Sequence, residues 1–210
     1  MYFSAFWWVR GYRIFFALLT LMALAMQLTE SIEAERSTVD FFSYFTIQSN
    51  MIAVSILLWT AIQPKQVSQR EIQDIFRGAS VLYLAVTGIV FAVLLSNLPL
   101  VTNPFSNMVM HQLMPVVIVL DWMLDPPSQT LSFRKATVWL AYAGGWIGYT
   151  LIRGVWVEWY PYPFLNPETV GGYAYVLFNI TVILCMALLL IWIITWIGKI
   201  SRKVYDGMKS

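Results

Sequence analysis

Residues 105–124 read FSNMVMHQLMPVVIVLDWML, a predominantly apolar run with a histidine, His111, in its first half. A helix rises about 1.5 Å per residue, so this run is long enough to cross ~30 Å of hydrocarbon. His111 is the only histidine in the chain. An ionisable group in a bilayer is costly and as a rule faces a partner or a cavity. The stretch therefore predicts a membrane helix, and it sets a question: what does the imidazole meet?

Working outward, five more apolar stretches cover roughly 12–29, 41–62, 78–98, 136–153 and 172–197, joined by short polar connections. They predict an all-α membrane protein, residues 1–210 forming one domain, a bundle of six transmembrane helices. Composition agrees. The chain is 59% hydrophobic and 11% charged, against roughly 25% charged for a soluble domain. Ten tryptophans and eleven tyrosines suit a membrane interface. No small-residue cleavage pattern follows the first stretch, which is read as a span rather than a cleaved leader.

Arginine and lysine set the expected orientation. Arg10 and Arg13 precede the first stretch; Lys65, Arg70 and Arg77 lie between the second and third; Arg134 and Lys135 between the fourth and fifth; Lys199, Arg202, Lys203 and Lys209 end or follow the sixth. Eleven of the thirteen basic residues thus fall on one side, leaving Arg36 and Arg153 on the other. Both termini are expected in the cytoplasm. A net charge of +2 gives no reason to expect a nucleic-acid partner.

The second stretch opens with FFSYFTIQSN, residues 41–50, and enters from the same side as the fourth. Ser43, Thr46 and Asn50 are spaced to share one helical face, as are Asn107, His111 and Pro115. Thr46 and His111 lie at similar depth, in the outer half. A neutral imidazole can accept a proton, and a threonine hydroxyl becomes a nucleophile when a base takes its proton. The pair predicts an acyl-transfer dyad. Against this stands the plain alternative that such hydroxyls and amides bond their own backbone or glue helices together.

Weaker candidates surround the pair. Asn50 and Asn107 could donate to an oxyanion, and Arg153 could bind a carboxylate or steady developing charge, or instead pair with Asp40 or Glu158. Asp121 lies ten residues past His111, about 15 Å deeper along a helix, too far to complete a triad; it is expected to pair with Arg134 or Lys135. The connection GVWVEWYPYPFLNPETVG, residues 154–171, holds three prolines and five aromatics. It reads as an interface anchor or a cap, and Tyr160 and Tyr162 could supply hydroxyls.

FFSYFTIQSN, NMVMHQLMP followed by Asp121-Trp122, and YPYPFL resemble a predicted six-pass membrane family of bacteria, itself similar to the eukaryotic androgen-induced membrane proteins. The resemblance covers most of the chain. It implies a six-helix bundle in a bacterial cytoplasmic membrane. From the eukaryotic branch it implies hydrolysis of fatty acid esters of hydroxy fatty acids by an intramembrane threonine and histidine, roles that fall on Thr46 and His111. The implied partner is a membrane lipid or fatty-acyl ester, with no cofactor.

The competing expectation is a lipid-binding protein or transporter in which His111 is a polar relay. Other classes lack their residues. A haem bundle needs paired histidines, zinc chemistry lacks ligands, and the single cysteine, Cys185, rules out an intramolecular disulfide or dithiol enzyme. The Gly-x-Ser-Gly setting of a rhomboid-type protease is missing.

Overall fold

The computed structural model describes residues 2–62, 70–97 and 103–208. Lys65, Lys209 and the expected end of the third stretch at residue 98 lie outside the described residues. Every regular element among the described residues is a helix, and none is a strand. α1 spans Tyr2–Glu33, α2 Thr38–Ser43 and α3 Phe45–Ile62. α4 spans Arg70–Val90 and runs on as a π turn over Phe91–Leu95. α5, Pro104–Met108, passes through a second π turn, Val109–Leu113, into α6, Met114–Leu124. α7 is Phe133–Ala136, α8 Leu140–Val157, α9 Pro167–Val170 and α10 Tyr173–Gly207.

Five segments are long and apolar enough to cross a membrane: Trp7–Glu33, Phe45–Ile62, Arg70–Leu95, Pro104–Leu124 and Tyr173–Gly207. These are the mark of an integral membrane protein. The fifth expected stretch, 136–153, appears as α8, which has the length but not the apolarity of the other five. Three glycines, two tyrosines, a threonine and Arg153 between residues 142 and 153 dilute it.

Contacts between distant residues fix the direction of the helices. At one end, Asn103 donates to Gln27 and Glu30 of α1, at 3.2 and 2.9 Å, so the end of α1 meets the start of α5. At the opposite end, Arg13 reaches Asp121 at 2.6 Å, so the start of α1 meets the end of α6. These two helices therefore run antiparallel. α4 packs against α3, α6 and α10, and its buried face includes Leu82, Leu84 and Thr87. α1 turns a stripe of small residues inward, Ala17, Thr20 and Ala23, all fully buried. Small side chains let two helices approach closely, and α1 lies along α3. Large apolar residues such as Leu18, Leu21, Phe178 and Leu189 stay exposed, as expected of faces that contact lipid rather than water.

The sequence expectation fails in detail at one break. Residues 41–62 do not form one helix. Ser43 ends α2, and Tyr44 adopts an extended conformation (φ −67°, ψ 129°) before α3 begins. Ser43 therefore does not share a helical face with Thr46 and Asn50. It bonds Val39 O at 2.7 Å and lies 3.1 Å from the Tyr149 hydroxyl, while its carbonyl accepts from Trp146 Nε1.

Candidate active site

Thr46 is the second residue of α3. The break at Tyr44 separates it from α2, so the Thr46 N–H, one of the first in α3, finds no backbone acceptor in its own helix. The Thr46 side chain reaches out of its own helix. Its Oγ1 lies 3.2 Å from His111 Nε2 and 3.1 Å from the Tyr162 hydroxyl, and its N–H donates to the same phenol oxygen at 3.1 Å. Thr46 is 7% exposed and His111 9%. The structure thus brings together the hydroxyl and imidazole that the sequence placed at equal depth.

His111 owes its position to Pro115. A proline inside a helix has no N–H to give the carbonyl four residues back, and its ring crowds that carbonyl, here that of His111. The helix widens into the π turn Val109–Leu113, closed by Met114 N–H donating to Val109 O. Such turns are frequent at functional sites. Gly88 of α4 completes the fit: a Cβ there would lie 3.0 Å from Pro115 Cγ and 3.1 Å from the His111 carbonyl oxygen. The imidazole stacks on Phe91 of the facing π turn, ring centres 4.2 Å apart.

The imidazole's other nitrogen, Nδ1, lies 3.2 Å from the Asn107 carbonyl oxygen. A carbonyl can only accept, so Nδ1 carries the proton. Nε2 is then left with its lone pair towards Thr46, as a general base requires. Asn107 serves through its backbone; its side-chain Oδ1 is buried without a hydrogen-bond partner among the described residues. Asn50 gives its amide to the carbonyls of Thr46, at 2.9 Å, and Met110, at 3.3 Å, tying α3 to the turn that carries His111. Ser49 adds a bond to Thr46 O at 3.1 Å and meets Thr87 of α4 at 3.0 Å.

Arg153 pairs with Asp40 at 2.6 Å and lies over the Trp159 ring, one of the two partners expected for it. Asp121 differs from expectation. It pairs with Arg13 and Arg77, at 2.6 and 2.9 Å, because α1 and α4 flank α6. Arg134 is exposed, and Lys135 reaches Glu71.

Two hollows meet at Thr46. A cavity of about 460 Å³ is lined by Gln27, Ser31, Asp40, Tyr44, Thr46 and His111 among others. A second cleft of about 70 Å³ has apolar walls that include Val86, Val90, Ala143, Ile147 and Ile183. Thr46, Leu95 and Tyr162 line both. Tyr162, which spacing alone did not single out, stands between them on the connection from α8 to α10. Burial pushes its phenol up to about 12, against the pull of its hydrogen bonds with Thr46. Among the described residues no group of three histidine, cysteine or acidic side chains is placed to hold a metal ion. Comparison with protein-family models, with curated proteins and with solved structures finds no match in any of the three.

Proposed function

We propose that this chain is an intramembrane hydrolase of fatty-acyl lipid esters, with Thr46 as nucleophile and His111 as base. The observation that carries the reading is the buried Thr46 Oγ1 to His111 Nε2 contact of 3.2 Å, set where a partly polar cavity meets an apolar cleft. An ester has this same two-sided character. The resemblance of the FFSYFTIQSN and NMVMHQLMP strings to the six-pass family points the same way. In this reading α8 is a sixth span, both termini lie in the cytoplasm of a bacterial cell, and the site opens in the outer half of the membrane.

The chemistry closes without a cofactor. Thr46 Oγ1 attacks the ester carbonyl carbon as its proton passes to His111 Nε2. The tetrahedral intermediate collapses, the bond to the leaving alcohol breaks, and that oxygen takes the proton from His111. Water then attacks the acyl-threonine, giving one proton to Nε2. The second collapse frees the fatty acid and returns that proton to Thr46 Oγ1.

A relay across the membrane would need polar groups between His111 and Asp121. On α6 the buried side chains between the two are the apolar Met114, Val117 and Ile118, so this helix carries no relay of its own. The test is turnover of a long-chain lipid ester by purified protein. Thr46→Ala and His111→Ala should each lower kcat by a factor of about 10² or more, and a fluorophosphonate probe should label wild type but not Thr46→Ala. Equal turnover by all three proteins would reject the dyad.

A further inference from the structure

The Tyr162 hydroxyl touches the atom that would react, and the neighbouring acceptors set the order of protons around it. Asn107 O takes the Nδ1 proton of His111, so Nε2 must accept from the Thr46 hydroxyl. The phenol oxygen of Tyr162 already accepts the Thr46 N–H. Its own hydrogen is therefore free to point at Thr46 Oγ1, 3.1 Å away. The result is a directed chain from Thr46 N–H through the Tyr162 hydroxyl and the Thr46 hydroxyl to the imidazole. Each bond polarises the next.

The ring that carries this hydroxyl is held on several sides. Phe164 lies parallel to it at 5.2 Å, and Trp146 and Tyr44 meet it edge-on at 5.9 and 5.6 Å. Ordering the donor before reaction removes a reorganisation cost at the moment of reaction. Three elements supply the clamp: α8, the break before α3, and the connection itself. A phenol whose only task was to fill space would not need its oxygen aimed at the nucleophile.

We propose that Tyr162 is a catalytic hydrogen-bond donor, whose O–H moves from Thr46 Oγ1 to the substrate carbonyl oxygen as negative charge builds there. The carbonyl oxygen and Oγ1 become bonded to one carbon in the tetrahedral intermediate, so the donor has only a short shift to make. As Oγ1 becomes an ester oxygen it is a poorer acceptor, while the oxyanion is a strong one. The proton stays on Tyr162 throughout, since a phenol is protonated at neutral pH at its ordinary value and burial only moves it further up. The Thr46 N–H, still bonded to the phenol oxygen, strengthens the donor. This assignment rests on the Thr46–His111 hydrolase reading.

The experiment compares wild type, Thr46→Ala, Tyr162→Phe and Tyr162→p-aminophenylalanine as full-length chains in detergent, with p-nitrophenyl octanoate as the probe ester. Rates are normalised to folded protein by size exclusion and thermal melting. Tyr162→Phe keeps the ring and its packing, and kcat should fall by a factor of about 10²–10³, with KM within about threefold. The p-amino variant restores a donor at the same place and should recover at least about a tenth of the lost rate. A purely structural tyrosine would shift the melting temperature and leave kcat per folded molecule alone. Tyr162→Phe with kcat within about threefold of wild type, while Thr46→Ala is inactive, overturns the assignment and leaves the dyad standing. Lack of rescue by the p-amino group also counts against it. If Thr46→Ala turns over as fast as wild type, the hydrolase reading itself fails.

Discussion

Thr20, Thr60, Ser80 and Thr195 each give a hydroxyl hydrogen to the carbonyl four residues back in their own helices, at 2.7, 2.7, 3.2 and 2.9 Å. That is the ordinary fate of a hydroxyl in a membrane helix. Thr46 differs because the chain breaks two residues before it, and its hydroxyl turns to His111 and Tyr162 instead. Gly88 matters at the same scale. Its missing Cβ leaves room for the His111 carbonyl and the Pro115 ring, so Gly88→Ala would push both by a few tenths of an ångström. Overpacking of this kind costs about 1–3 kcal/mol. We expect a lower melting temperature and a kcat loss larger than the stability loss explains, since the displaced residue is His111. Ester turnover per folded molecule would check this; unchanged kcat would mean the π turn absorbs the methyl without moving the ring.

At the scale of the element, two helix irregularities place the two reacting groups. α3 starts one residue before Thr46, and the segment carrying His111 is π-wound because Pro115 follows four residues later. Pro115→Ala would restore the missing N–H and remove the crowding at the His111 carbonyl. An interior proline costs about 3 kcal/mol relative to alanine, so melting should move upward. A shift of one residue in helical register turns side chains by ~100°, so His111 should leave Thr46 and activity should drop towards that of His111→Ala. Higher stability with lower turnover is the expected pair of results; a variant that keeps full activity would mean that the π turn does not place His111. The equal depth of Thr46 and His111 was legible in the sequence, because both stretches are expected to enter from one side and depth can be counted along each; that the two side chains meet was not, since depth does not say which way a helix face is turned. The break at Tyr44 was not, since SYF carries no proline or glycine to announce it. Nor was the clamp on Tyr162, because a loop has no period from which to read the direction of a side chain. Asn50 was visible as a polar face, but only packing decided that its amide binds α3 to the His111 turn.

Over the whole molecule, the described ion pairs between helices gather at two ends. One holds the Thr46 site. The other holds Arg13 of α1, Arg70 and Arg77 with Asp74 at and near the start of α4, and Asp121 and Asp125 at the end of α6. Among the described residues three arginines face three aspartates there. Part of the basic excess that predicts the orientation is therefore spent on joining helices, and exposed residues such as Arg134 and Lys135 carry the rest. The sequence could count these charges but not pair them, because every partner of Asp121 lies on another helix. Breaking one buried pair leaves a charge without compensation and costs about 3–5 kcal/mol. Asp121→Ala leaves Arg13 with Asp125 alone and Arg77 with Asp74 alone, one positive charge in excess, so its melting temperature should fall further than that of Thr46→Ala or His111→Ala. Its kcat per folded molecule should stay near wild type, since Asp121 sits about 15 Å along the helix from His111. Thermal melting and normalised ester turnover on the same preparation separate the two effects. A variant that folds normally yet loses turnover would tie this end of the bundle to the chemistry at the other.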